Sequence, residues 1–282
     1  MLRVFRKLMI AYYTVCFVCV VVVTGVMTWI VQGLEPYYIL FIDFISAMIC
    51  IFVIALIFNI IALKKYYKIG KIRLEECNLD KFIFENEKLL NKNRNRSIRN
   101  FLLINIAGAY LEKQDLQRAK EVLDSIIDFK NTNFDKNNKI SYVSNLTSYL
   151  IRIKQFDEAR KTLDRMQYYI KALKAVAEKN SANEAYFSLQ QLLKMEEKNN
   201  YEGAEEFYLD KLKKSIFMLE KVKWQFVLSK IYLRENRTDE TKHFLCFAAE
   251  HGGTTYYAQE AKIYLGKLKE TEQNFGDIIN QL

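Results

Sequence analysis

The chain has 282 residues, 51% of them hydrophobic, yet holds nine Gly and one Pro where average usage would supply roughly 20 and 14. Sheet proteins of this length place Gly and Pro at their many turns, so composition argues against an all-β fold and excludes collagen-like and Pro/Gly-rich disordered classes. The formal net charge of +9 and the mean hydropathy of −0.10 conceal two unlike parts, because apolar residues crowd into the first 63 positions.

Leu8 to Val31 is a run of 24 residues without formal charge, and Phe44 to Leu63 is a second, of 20. At ~1.5 Å per residue the longer run is roughly 36 Å, enough to cross a ~30 Å hydrocarbon core with some tilt. The expectation is a transmembrane hairpin over residues 1–63, with spans at about 8–31 and 39–63. A cleaved signal peptide is disfavoured, because the first run is too long and no A-x-A-like site follows it. Arg3, Arg6 and Lys7 precede the first span, and Lys64, Lys65, Lys68, Lys71 and Arg73 follow the second. The connection Gln32 to Asp43 has no Lys or Arg, so the positive-inside rule puts both termini in the cytoplasm of a multi-pass plasma-membrane protein. The basic residues at 64, 65, 68, 71 and 73 are then expected at the membrane surface. Trp29, Tyr37, Tyr38, Tyr66 and Tyr67 fit an aromatic belt, and Asp43 an outer headgroup position.

Chemistry-bearing motifs are scarce. Cys16, Cys19 and Cys50 fall inside the spans; Cys77 and Cys246 fall beyond them, and no disulfide framework emerges. His243 and Cys246 are three apart on an expected helix, but a structural zinc needs four ligands and no others accompany them. There is no phosphate loop, dinucleotide fingerprint or nucleophile elbow, so the reading is a non-enzyme without a cofactor. Residues 64–96 read as a basic juxtamembrane helical linker with an amphipathic piece, Leu79 to Leu90. Its run Lys88, Lys92, Arg94, Arg96 and Arg99 reads as a face attracted to anionic lipid; no aromatic-plus-basic pattern points to nucleic acid.

From residue 97 onwards, pairs of short helices recur. NFLLINIAGAYLEKQDLQRAKEVLDSII aligns with ISYVSNLTSYLIRIKQFDEARKTLDRM on Tyr110 and Leu150, sharing Leu116 with Phe156, Ala119 with Ala159 and Leu123 with Leu163. Asp115 sits where a second-helix N-cap belongs. Weaker copies place Ala204 and Thr241 at the same small position, at spacings of 40, 45 and 37. A small residue lets two helices cross closely, and each pair needs its neighbour to bury its outer apolar face. Thr254 to Leu268 reads as a closing helix with Thr254 as N-cap, preceded by Gly252-Gly253 as the C-cap of the helix before it.

Leu103, Ala107, Tyr110, Ala119 and Leu123 give the segment 97–282 a pattern that resembles, in degenerate form, the tetratricopeptide repeat family. The fold expected is therefore all-α: a two-helix transmembrane hairpin followed by a cytoplasmic α-solenoid of such helix pairs. The resemblance implies protein–protein recognition along an inner groove. Carried over, the groove positions are Phe101, Ile104 and Gly108 in the first unit, Ser141, Ser144, Ser148 and Arg152 in the second, and Lys223, Phe226, Lys230 and Arg234 in the fourth. Long-stemmed cations around an aromatic suit an acidic peptide with an apolar anchor. The family's Lys and Asn clamp for a C-terminal carboxylate is absent from the first-unit positions. The function expected is a membrane-anchored adaptor, with a protein or peptide and the lipid bilayer as partners. The alternative is a small membrane sensor, or an accessory subunit of a transporter or cell-envelope complex, acting through its spans. The many Lys, Asn and Ile residues accord with an AT-rich bacterial genome.

Overall fold

The computed structural model describes the backbone over 36–280 and at Val18, Val21, Val22 and Gly25. All the regular structure among these residues is α-helical, in α1 (Pro36–Leu74), α2 (Leu79–Leu90), α3 (Arg96–Glu112), α4 (Leu116–Asp124), α5 (Asn133–Arg152), α6 (Phe156–Lys171), α7 (Val176–Lys198), α8 (Ala204–Lys214), α9 (Met218–Arg234), α10 (Thr238–His251) and α11 (Tyr256–Asn280). The expected first span at 8–31, with Arg3, Arg6, Lys7, Cys16, Cys19 and Trp29, lies outside the described residues apart from those four positions. By internal contact the chain divides into Met1–Ile69 with Asn91–Asn93, and Gly70–Leu90 with Arg94–Leu282.

In the first unit, α1 carries an exposed apolar stripe. Phe44, Ile45, Met48, Ile49, Phe52, Val53, Leu56, Ile57, Ile60 and Ile61 are all exposed, Phe52 at 69%. Taken over the described residues alone, no helix is long and apolar enough to cross a membrane; the side chains at 42–43, 46–47, 50, 55, 58–59 and 62–63 are not among them. Lys64 and Lys68 are exposed, and the side chain at 65 lies outside the described residues.

The second unit is a run of helical hairpins. From α2 onwards consecutive helices pack along it, except α7 with α8, and α3 also stacks on α5, α5 on α7, and α9 on α11. Side-chain caps start several of these helices: Asn78 accepts from the Lys81 amide at 3.0 Å, Asn95 from Ile98 at 3.2 Å, Asp115 from Arg118 at 3.1 Å and Thr132 from Asp135 at 3.1 Å. Three hairpins turn in one way. The amides of Asp115, Gln155 and Arg237 donate to the carbonyls of Tyr110, Leu150 and Tyr232 at 3.0, 2.9 and 2.9 Å, closing a Schellman motif around left-handed Gln114, Lys154 and Asn236. The small positions Ala119, Ala159, Ala204 and Thr241 are all fully buried. A larger side chain there would push the paired helices apart.

Two parts of the sequence reading change. The segment expected as a linker includes a packed helix: Leu79, Phe82, Ile83 and Leu89 of α2 are buried, and α2 packs on α3. Its hydrophobic spacing fits a neighbour better than solvent. Thr254 does not cap α11. Its Oγ1 accepts from the Leu79 amide at 2.8 Å, its own amide donates to the Cys77 carbonyl at 3.0 Å, and Thr255 Oγ1 faces the Ala258 amide instead. The start of this unit is thereby tied to its last hairpin. Leu74 and Cys77 join a core of Leu219, Val222, Phe226, Leu245, Ala248, Tyr257 and Ala261.

Candidate functional site

The inner helices α3, α5 and α7 stack in succession, and α9 with α11, but α7 and α9 do not stack in the same way. Between them opens a cleft of about 390 Å³, lined from α3 by Gly108 and Glu112, from α5 by Ser144, Asn145, Ser148 and Arg152, and from α7 by Ser181, Glu184 and Ser188. Lys211 and Lys214 of α8, Glu220, Lys223 and Trp224 of α9, Tyr257 of α11 and Arg73 at the end of α1 also line it, with apolar surface from Leu111, Leu189, Leu192, Tyr208 and Val227. A second compartment of about 590 Å³ shares Arg73, Gly108, Ser144, Asn145, Ser181 and Ala185, and adds Ile104, Asn137 and Ser141.

Arg73 is the best-fixed side chain of the site. Its Nε donates to Glu112 Oε2 at 2.8 Å and its Nη2 to Oε1 at 2.6 Å, a bidentate pair, while its guanidinium lies 5.6 Å from the centre of the Phe82 ring. Burial works against its charge, but Glu112 outweighs burial and keeps Arg73 firmly protonated. Arg152 donates Nη1 to Gln114 Oε1 in the α3–α4 turn and acts electrostatically on the Tyr257 hydroxyl. Its Nε is buried without a partner. Lys223 is the most perturbed cation. Burial pushes it down to about 8; Arg152 and Arg73 push the same way, and Glu112 and Glu220 resist. Burial likewise raises Glu220, with Lys223 opposing. Asn145 Nδ2 donates to the Ile104 carbonyl at 2.9 Å, which ties α5 to α3 beneath the cleft.

The residues expected in a groove separate into three groups. Ser141, Ser144, Ser148, Arg152 and Lys223 line the two compartments, with Ile104 and Gly108 beside them. Phe226 is not an exposed anchor: it is 3% exposed, its ring centre 5.6 Å from that of Tyr257 and 5.9 Å from that of Tyr256. The closing helix α11 covers the face that periodicity assigned to the groove. Lys230 and Arg234 lie farther along α9. Lys230 reaches Glu196 at 4.0 Å, and Arg234 stacks on Tyr201 at 4.5 Å and bonds Asn199. Seven residues of helix carry Lys230 about 10 Å along the axis from Lys223. Phe101 packs on Phe134 at 5.8 Å.

Arg73 also moves: expected at the membrane surface with Lys64, Lys65, Lys68 and Lys71, it faces the cleft instead, while Lys71 is exposed. Sequence reasoning missed Glu112, Asn145, Ser181, Ser188 and Tyr257 as lining residues. Ser144 with Ser148 and Ser181 with Ser188, four and seven apart, were the available signal, since small polar residues at helical spacing mark a face without a tight apolar neighbour. Cys77 is buried and its thiol is pushed up to about 11 by burial, which keeps it protonated and unreactive. No group of His, Cys, Asp and Glu among the described residues is placed to hold a metal ion. No family model, curated protein or solved structure matches this chain.

Proposed function

We propose that this protein is a membrane-anchored adaptor. Its tetratricopeptide-like hairpins present a basic, serine-lined cleft to an acidic segment of a partner protein. The observation that carries this reading is the charge of the cleft: five basic and three acidic side chains line it, and Arg152 and Lys223 are the basic ones without a carboxylate within ion-pair distance. The surplus of positive charge favours an acidic ligand, and Leu111, Leu189, Leu192 and Val227 offer apolar surface beside it. The exposed apolar stripe of α1 supports a lipid setting for the Phe44–Leu63 stretch, because a face of that composition has no stable place in water. The charge asymmetry on either side of the spans supports cytoplasmic termini.

The stripe also favours a second reading, an accessory subunit whose spans contact another membrane protein. Crosslinking and pull-down of the full-length protein from its own membrane separates the two. An adaptor keeps its partner when residues 1–63 are replaced by an unrelated hairpin, and loses it on Lys223→Glu. Lys230→Glu, outside the cleft, is the control. Loss of the partner on hairpin exchange, with Lys223→Glu harmless, rejects the adaptor in favour of the accessory subunit.

A further inference from the structure

The cations of the cleft are not equivalent. Arg73 is paired with Glu112, Lys211 reaches Glu184 at 3.6 Å, and Lys214 reaches Asp210 at 2.7 Å. Arg152 and Lys223 are left over among the cations, and Glu220 among the carboxylates. Arg152 has its Nη1 and its contact with Tyr257 engaged with neutral groups, and its buried Nε points to no acceptor. Lys223 lays its ammonium 4.3 Å from the Trp224 ring centre and forms no salt bridge. On α5, Ser144, Ser148 and Arg152 follow at intervals of four and share one face, and all three line the cleft with Lys223.

We propose that this end of the cleft is a binding site for a phosphate monoester, held between the Lys223 ammonium and the Arg152 guanidinium with the Ser144 and Ser148 hydroxyls beside it. Donor count selects this group. A carboxylate offers two acceptor oxygens, and Glu220, which also lines the cleft, already offsets part of the Lys223 charge. A phosphate monoester carries about −1.5 to −2 at neutral pH and offers three acceptor oxygens. The remaining guanidinium N–H groups of Arg152, the ammonium protons of Lys223 and two hydroxyls supply donors in that number, and charge-assisted bonds of this kind are the strong ones. The volume is in the range of small-ligand sites. The same chemistry is presented by a phosphorylated side chain of a partner or by a small phosphorylated molecule. The first source rests on the adaptor reading above; the second does not.

The test uses the full-length protein in detergent with Trp29→Phe, which leaves Trp224 as the sole tryptophan and places the reporter against Lys223. Four probes are titrated by fluorescence and calorimetry: inorganic phosphate, O-phosphoserine, an acidic peptide with one phosphoserine, and that peptide with glutamate in its place. The expected result is saturable binding of the phosphorylated probes. Lys223→Met should weaken it about tenfold or more, the loss of a charge-assisted hydrogen bond; Ser148→Ala should weaken it less, and Lys230→Glu not at all. Circular dichroism melting confirms that each variant is folded, and Ser148→Ala serves as the readout if Lys223→Met is not. Binding of O-phosphoserine but neither peptide supports the site with a small-molecule source and removes the adaptor reading. Equal binding of the two peptides overturns the phosphate site and leaves the adaptor standing. Phosphate binding indifferent to both Lys223→Met and Ser148→Ala, or no binding of any phosphorylated probe, overturns the site.

Discussion

Lys223 sits in the cleft at a cost to the fold. Burial, Arg152 and Arg73 together hold it near 8, against about 10.4 for a free lysine. Between those values the unfolded chain binds a proton that the folded chain lacks, so stability rises with pH across that window. Below about 8 both states are charged and the penalty is fully present. Lys223→Met is therefore expected to stabilise the protein at pH 7, by roughly 1–3 kcal/mol, and the advantage should shrink as pH is raised from 8 towards 10. Thermal melts of both proteins at pH 7 and 9.5 check this; a variant less stable than wild type at pH 7 would mean that the ammonium is stabilised by its surroundings. A charge held at a cost to the fold accords with a ligand-binding role, because a bound anion would offset it beyond what Glu112 and Glu220 do. Phe226 shows the opposite case at this scale. Spacing placed it beside Lys223, but the side chains of α11 settled its environment.

At the scale of elements, the hairpins repeat a turn as much as a sequence. The left-handed residue of the Schellman motif is Gln114, Lys154 or Asn236, and none is Gly. Asn tolerates that conformation, and Gln114 has a second use in accepting from Arg152. Lys154 is exposed and has neither excuse. Lys154→Gly is predicted to raise stability by about 0.5–1 kcal/mol, the left-handed strain relieved less the entropy of glycine. The midpoint of chemical denaturation measures it, and a loss of stability would argue that the α5–α6 turn is held by something other than its backbone. The pairs with the clearest sequence signal, α3 with α4 and α5 with α6, build one wall of the cleft. The weak third pair is where regular stacking stops and the cavity opens. In this chain the helix pair least like the others in sequence lies where the cleft opens.

Across the second unit as a whole, the clasp between residues 77–79 and 252–255 brings together positions 175 apart in the chain. Gly253 has φ of 54°, and a Cβ there would lie 2.5 Å from the Cys77 carbonyl oxygen. Gly253→Ala must therefore open the clasp or distort it, at an expected cost of about 1–3 kcal/mol. Gly266→Ala is the control: nothing lies within 4 Å of a Cβ there, and alanine favours the helix by up to about 1 kcal/mol. Opposite shifts in melting temperature for the two substitutions are the predicted outcome. Equal shifts would show that the two ends of the unit are not joined through this contact.

The sequence by itself determined what depends on neighbours in the chain. Scarce Gly and Pro and apolar spacing indicated helices, Asp115 marked a helix start, and a recurring small residue marked positions 119, 159, 204 and 241, all of them buried. Those signals are local or periodic, so one sequence carries them. Tertiary structure decided what depends on partners far along the chain. Arg73 follows the basic stretch after an apolar run and reads as a membrane-surface charge; Glu112, 39 residues later, pairs with it and turns it towards the cleft. The face of α9 around Phe226 reads as open until α11 covers it. The cleft itself is the place where α7 and α9 fail to stack, and a gap between two helices is written in neither of them.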